Sequence, residues 1–129
     1  MNWHFDFLAD HGVLSVKTSG DLNYEAILDL ISTAAAEVKR RDCDKILVDH
    51  RDAVLKISPT RVYRLPAVGV AYGVDRRRKV AVVLSPSTIH EDEVRIYADV
   101  MNRNALPHRV FSDPEAALHW LVDSESSDA

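Results

Sequence analysis

The chain has little of several things that would announce a function. Among its 129 residues there is one cysteine, Cys43, four glycines, and no apolar run that approaches the ~20 residues needed to cross a bilayer. A lone cysteine excludes an intramolecular disulfide. The opening Met1-Asn2-Trp3-His4-Phe5 has neither the basic n-region nor the apolar core of a secretory signal. These features predict a protein of the reducing cytoplasm that is not integral to a membrane.

Catalytic and cofactor signatures are also missing. No G-x-G-x-x-G or G-x-x-x-x-G-K-[ST] occurs, so the backbone cradle that nucleotide phosphates need is absent. No serine sits in a G-x-S-x-G elbow, and Cys43 stands between Asp42 and Asp44, whose charge disfavours a thiolate. The six histidines (His4, His11, His50, His90, His108 and His119) include no H-x-x-x-H or H-E-x-x-H pair. No cofactor, no metal and no catalytic residue is expected, and the protein reads as a non-enzyme.

A net charge of −4 and a pI near 5.8 oppose nucleic-acid binding, which depends on a cationic face. The one basic run, Arg76-Arg77-Arg78-Lys79, precedes an apolar run and reads as a solvated turn feeding a strand.

What is present is a patterned globular chain, 47% hydrophobic and 28% charged, of a length suited to one domain over 1–122 with a polar, disordered tail over 123–129. Trp3, Phe5 and Phe7 alternate with His4 and Asp6, and Leu14 and Val16 alternate with Ser15 and Lys17. Asp10-His11-Gly12 between them suits a tight turn, so the chain opens on a β-hairpin. The aromatic row is expected to be buried against a helix, a homodimer being the other option. Tyr24, Ile27, Leu28, Ile31, Ala34, Ala35 and Val38 recur at helical spacing behind Asn23 as N-cap.

Ile46-Leu47-Val48, closed by Asp49, predicts a central strand covered on both faces. Ser58-Pro59 then opens a second helix running toward Gly73, which Pro66 kinks or shortens. Val80-Ala81-Val82-Val83-Leu84 is another buried strand, and a third helix follows the capping pattern Thr88-Ile89-His90-Glu91. Arg109-Val110-Phe111 is a last strand, and Asp113-Pro114-Glu115 starts a final helix. The expected fold is α/β: a mixed β-sheet opened by an N-terminal hairpin, with about five strands and four helices.

This order, with the strand end Ile46-Leu47-Val48-Asp49 and the closing segment Phe111-Ser112-Asp113-Pro114-Glu115-Ala116-Ala117-Leu118-His119-Trp120-Leu121, resembles the SpoIIAA-like family of small bacterial proteins. The resemblance runs from Trp3 to Val122 and implies a STAS/SEC14-like architecture. In the anti-sigma-factor antagonists of the wider STAS group, a serine opening the helix after such a strand is phosphorylated by a partner kinase. Counted from Asp49, that serine is Ser58, the candidate phosphoacceptor, with a plain helix N-cap as its other reading. Ile57 before it and Pro59 after it depart from the antagonist pattern, which has an acidic residue before the serine and small residues after it.

Asp49, His50, Arg51 and Asp52 are the candidate crevice residues, because the carboxyl ends of strands in open α/β sheets face ligands. Val62, Tyr63 and Leu65 extend a candidate docking surface around Ser58. The resemblance also implies a second possibility, a small lipophilic ligand beside helix two; Val68, Gly69, Tyr72 and Gly73 suit close approach there, since Gly69 and Gly73 have no side chain. The favoured reading is a regulatory module docking a protein partner; the alternative is a carrier or sensor of a small apolar ligand.

Overall fold

The computed structural model describes residues 2–62, 64, 65, 67, 71, 78–85, 99, 100, 102, 103 and 108–122. Strands β1 (Trp3–Leu8) and β2 (Val13–Asn23) form the opening hairpin, paired antiparallel from Trp3↔Thr18 to Leu8↔Val13. Gly12 at φ 63° supplies the left-handed turn residue, and His11 N donates to Leu8 O at 3.0 Å.

Helix α1 (Tyr24–Arg41) follows without a loop. Asn23 Oδ1 accepts from Ala26 N at 2.9 Å, capping the helix as its sequence predicts. Lys39, Arg40 and Arg41 occupy the last turn, where the helix dipole favours cations, and Asp42 in the left-handed region ends the helix. Strand β3 (Lys45–Lys56), the single turn α2 (Pro59–Val62), β4 (Lys79–Val83), β5 (His108–Phe111) and α3 (Pro114–Val122) complete the described elements.

The sheet order is β1-β2-β3-β4-β5, antiparallel at the hairpin and parallel thereafter. Helices cover both faces. Leu14, Val16, Ile46, Val80 and Val82 pack with Leu30 and Val38 of α1, while Val13, Leu47, Ala81 and Val83 pack with Ala117 and Leu121 of α3. This two-sided burial explains why Ile46-Leu47-Val48 and Val80-Ala81-Val82-Val83 read as continuous apolar runs. Trp3, Phe5 and Phe7 are half-buried against the α1-side core, and the Arg41 guanidinium lies 4.9 Å from the Phe7 ring centre.

Three expectations need correction. Asp49 does not close β3: the strand continues to Lys56, paired with β2 as far as Asn23↔Lys56. Four helices are expected, but among the described residues only α1 and α3 are full helices and α2 is one turn. The expected continuation of the second helix beyond Val62 lies outside the described residues apart from helical positions at 65, 67 and 71. The expected third helix lies outside the described residues apart from helical positions at 99, 100, 102 and 103. Finally, the basic run is not wholly solvated. Arg78 is buried, and Lys79 places its ammonium 5.6 Å from the Trp120 ring centre while its N–H donates to Asp44 O at 2.9 Å.

Candidate functional site

A β-bulge organises the polar cluster on β3. The β2–β3 register steps from Lys17↔Asp49 to Ser19↔Asp52, so β3 carries one extra residue opposite Thr18. The consequence is visible in the side-chain parity. Before the bulge Ile46 and Val48 point toward α1; after it Ala53 and Leu55 do, packing with Leu22 and Ile27. Strand β2 keeps its parity throughout, with Leu14, Val16 and Leu22 in the α1-side clusters.

At the bulge, Thr18 Oγ1 lies 2.7 Å from His50 Nδ1 and 3.2 Å from Asp49 O. A hydroxyl has one hydrogen, so both contacts are full hydrogen bonds when His50 Nδ1 carries the proton and Thr18 passes its own to Asp49 O. Thr18 and His50 are both buried. Burial lowers the His50 pKa to about 4, against the opposing pull of the Asp49 charge. The imidazole is therefore neutral at physiological pH.

Asp49 is buried and held by Arg51: Arg51 Nη2 donates to Oδ2 at 2.8 Å, Nε to Oδ1 at 3.0 Å, and the Arg51 backbone N–H to Oδ1 at 3.0 Å. Burial pushes the Asp49 carboxyl up, but these bonds, the Arg51 charge and that of Lys17 outweigh it and leave the pKa below the ordinary value. Arg51 is raised in turn by Asp49, with smaller contributions from Asp52 and Asp113. Ser85, after β4, donates from Oγ to Arg51 O at 3.4 Å. Asp113 starts α3, its Oδ1 accepting from Glu115 N at 3.2 Å.

The cluster thus gathers groups from the middle of β3, where its pairing with β4 ends, and from the segments that follow β4 and β5. Its carboxylate, guanidinium and Thr18–His50 pair are directed at one another. Lys17, Thr18, Ser85 and Asp113 are members that sequence reasoning missed. Nothing local marks Thr18, whose partner His50 lies 32 positions away.

Of the remaining candidates, Asp52 is exposed on β3, beyond the bulge. Ser58 is exposed, and its carbonyl accepts from Arg61 N at 3.0 Å to open α2. Val62 lies in α2. Leu65 is 3% exposed and packs with Leu22, Ile27 and Ala53, so it belongs to the core and not to a docking surface. Tyr63, Val68, Gly69, Tyr72 and Gly73 lie outside the described residues. A depression of about 370 Å³ at the hairpin turn is lined by Leu8, Ala9, Asp10, His11 and Leu118. Among the described residues no group of three or more metal-ligating side chains occurs, and no helix is long and apolar enough to cross a membrane.

No family model and no curated protein matches the chain. Solved structures do. A protein of the DUF3478 family with a SpoIIAA-like fold, from Shewanella loihica PV-4, is 19% identical, with 92% of this chain and 91% of that one covered at a TM-score of 0.59. The unphosphorylated anti-sigma factor antagonist SpoIIAA is 8% identical, with 88% of this chain and 93% of that one covered at a TM-score of 0.49. The first likeness shows that this chain has a SpoIIAA-like fold.

Proposed function

We propose that this chain, built on a SpoIIAA-like fold, is a non-catalytic, STAS-type docking module that meets an acidic surface of a protein partner through the exposed residues Ser58, Thr60, Arg61 and Arg64. The observation that carries the reading is a contrast between two neighbouring regions. The Asp49–Arg51 and Thr18–His50 pairs are internally matched, which suits structural support better than turnover. A few residues on, Ser58, Thr60, Arg61 and Arg64 are exposed, and no acidic residue occurs between Ile57 and Leu65. That local excess of two cations stands out in a chain of net charge −4. Arg61 is also ordered, its guanidinium 4.8 Å from the Tyr24 ring centre.

Ser58 gives this surface a switch. A phosphate there adds a charge of about −1.5 to −2 at neutral pH, enough to offset Arg61 and Arg64 and oppose an acidic partner. The reading places the protein in the cytoplasm, where a lone buried cysteine stays reduced.

The test is site-specific photo-crosslinking in the native host, with the reactive residue at exposed Thr60 and, as control, at exposed Ala36 on α1. The expected result is one protein adduct from Thr60, absent from Ala36, weakened by salt and abolished by Arg61→Glu with Arg64→Glu. Adducts indifferent to charge reversal, or none specific to Thr60, overturn the reading.

A further inference from the structure

Among the described residues the sheet ends in the edge strands β1 and β5, and β3 also outruns its neighbour β4. Strand β3 pairs with β4 only over Lys45–Asp49, yet with β2 it continues to Lys56. Among the described residues, the segment Asp52-Ala53-Val54-Leu55-Lys56 is therefore paired along one edge alone. Its inner face is covered, Ala53 being 1% exposed and Leu55 half-buried. Its outer face presents Asp52, Val54 and Lys56 to solvent, and Val54, at 37%, is the exposed large hydrophobic residue among those described. An open edge bearing an apolar residue is a template for strand addition.

We infer that this edge pairs antiparallel with the same segment of a second copy, about a two-fold axis at Val54. The order of residues is self-complementary in that arrangement. Val54 faces its counterpart, Ala53 faces Leu55, and Asp52 faces Lys56 twice, once on each side of the axis. A parallel pairing sets aspartate against aspartate and lysine against lysine, and a two-residue slip of the antiparallel register sets Val54 against Lys56. Cross-strand pairs of opposite charge stabilise a sheet and like pairs oppose it, so one arrangement is selected. The axis makes the contact isologous and closed, giving a dimer and not a fibre. Within one copy Asp52 and Lys56 are four residues apart on an extended strand, roughly 13 Å, and do not meet.

The inference stands apart from the docking reading, because it concerns the purified chain alone, and a monomeric result leaves the Ser58–Arg64 surface untouched. The experiment is sedimentation equilibrium of the full chain over a dilution series. Wild type should approach twice the monomer mass. Asp52→Lys and Lys56→Asp should each weaken association by about tenfold or more. The double variant carrying both changes should restore it. So should an equimolar mixture of the two single variants, in which every facing pair is again of opposite charge; that recovery also shows that both single variants are folded. A wild type that stays monomeric throughout overturns the inference, as does a dimer indifferent to either reversal or single variants that do not associate when mixed.

Discussion

Thr18 Oγ1 and His50 Nδ1 meet at 2.7 Å across a β-bulge, and both residues are buried. Strand β3 carries its extra residue where this contact forms, so a polar pair sits where the alternation of the sheet would otherwise demand an apolar one.

The pair makes stability depend on pH in a defined direction. His50 titrates at about 4 in the folded protein and near its ordinary 6.5 when unfolded. Between those values the unfolded chain binds the proton and the folded chain does not, so acidification favours unfolding. The contribution is fully present above about pH 6.5, falls as pH drops toward 4, and amounts to about 3 kcal/mol at most. Urea denaturation from pH 7 to pH 4 should show this decline, and His50→Asn should flatten it. An equal decline in the variant would remove His50 as its cause.

Thr18→Val keeps shape and removes the hydroxyl, leaving His50 Nδ1 and Asp49 O without that partner in a buried site. A loss of about 1–3 kcal/mol is expected. Combined with His50→Asn in a double-mutant cycle, the two changes should be strongly non-additive. Additivity in urea-unfolding free energies would show that the 2.7 Å contact contributes nothing of its own.

Asp49 titrates in a separate window. Its folded pKa is depressed, so its contribution is present above the unfolded carboxylate value and lost only as pH falls below it, under the His50 range. Arg51→Met removes two of the factors that hold the carboxyl down, the side-chain hydrogen bonds and the charge, and leaves the backbone N–H of residue 51 and Lys17 to oppose burial. The Asp49 pKa, followed by the NMR shift of its side-chain carboxyl carbon, should move upward from its depressed position. Arg51→Lys, which lacks the two-pronged guanidinium, should lie between. An unmoved titration in Arg51→Met would assign the depression to the backbone N–H of residue 51 and to Lys17 instead.

The strands and α1 were legible because their signals are local. The alternation Trp3–Phe7, the apolar runs at Ile46 and Val80, and the cap at Asn23 each lie within a few residues of what they determine. The bulge was not. A break in the apolar pattern at Asp49 looks like a strand end, and only the resumed alternation of Ala53 and Leu55 with Asp52, Val54 and Lys56 shows that β3 continues in shifted parity. The candidate cluster was half legible for the same reason. Asp49, His50 and Arg51 are adjacent in the chain, whereas Thr18, Ser85 and Asp113 reach them through sheet pairing alone.

Gly20 tests how much the ribbon of β2 and β3 beyond the bulge depends on backbone geometry. It holds φ 72° inside β2, opposite Ala53, just past the point where Ser19 N donates to Asn2 O at 2.9 Å. A Cβ placed there meets only Asn2 Nδ2, at an ordinary 3.8 Å, so crowding is not the obstacle. The left-handed conformation is. Gly20→Ala should cost about 1–2 kcal/mol in urea unfolding, and Gly20→Asn less, because asparagine tolerates that region better than alanine. If Gly20→Ala instead matches wild type, the β2 backbone relaxes to negative φ without loss. The Asp52–Lys56 segment paired with it would then lack a fixed register, and the two-fold pairing about Val54 would lose its geometric basis.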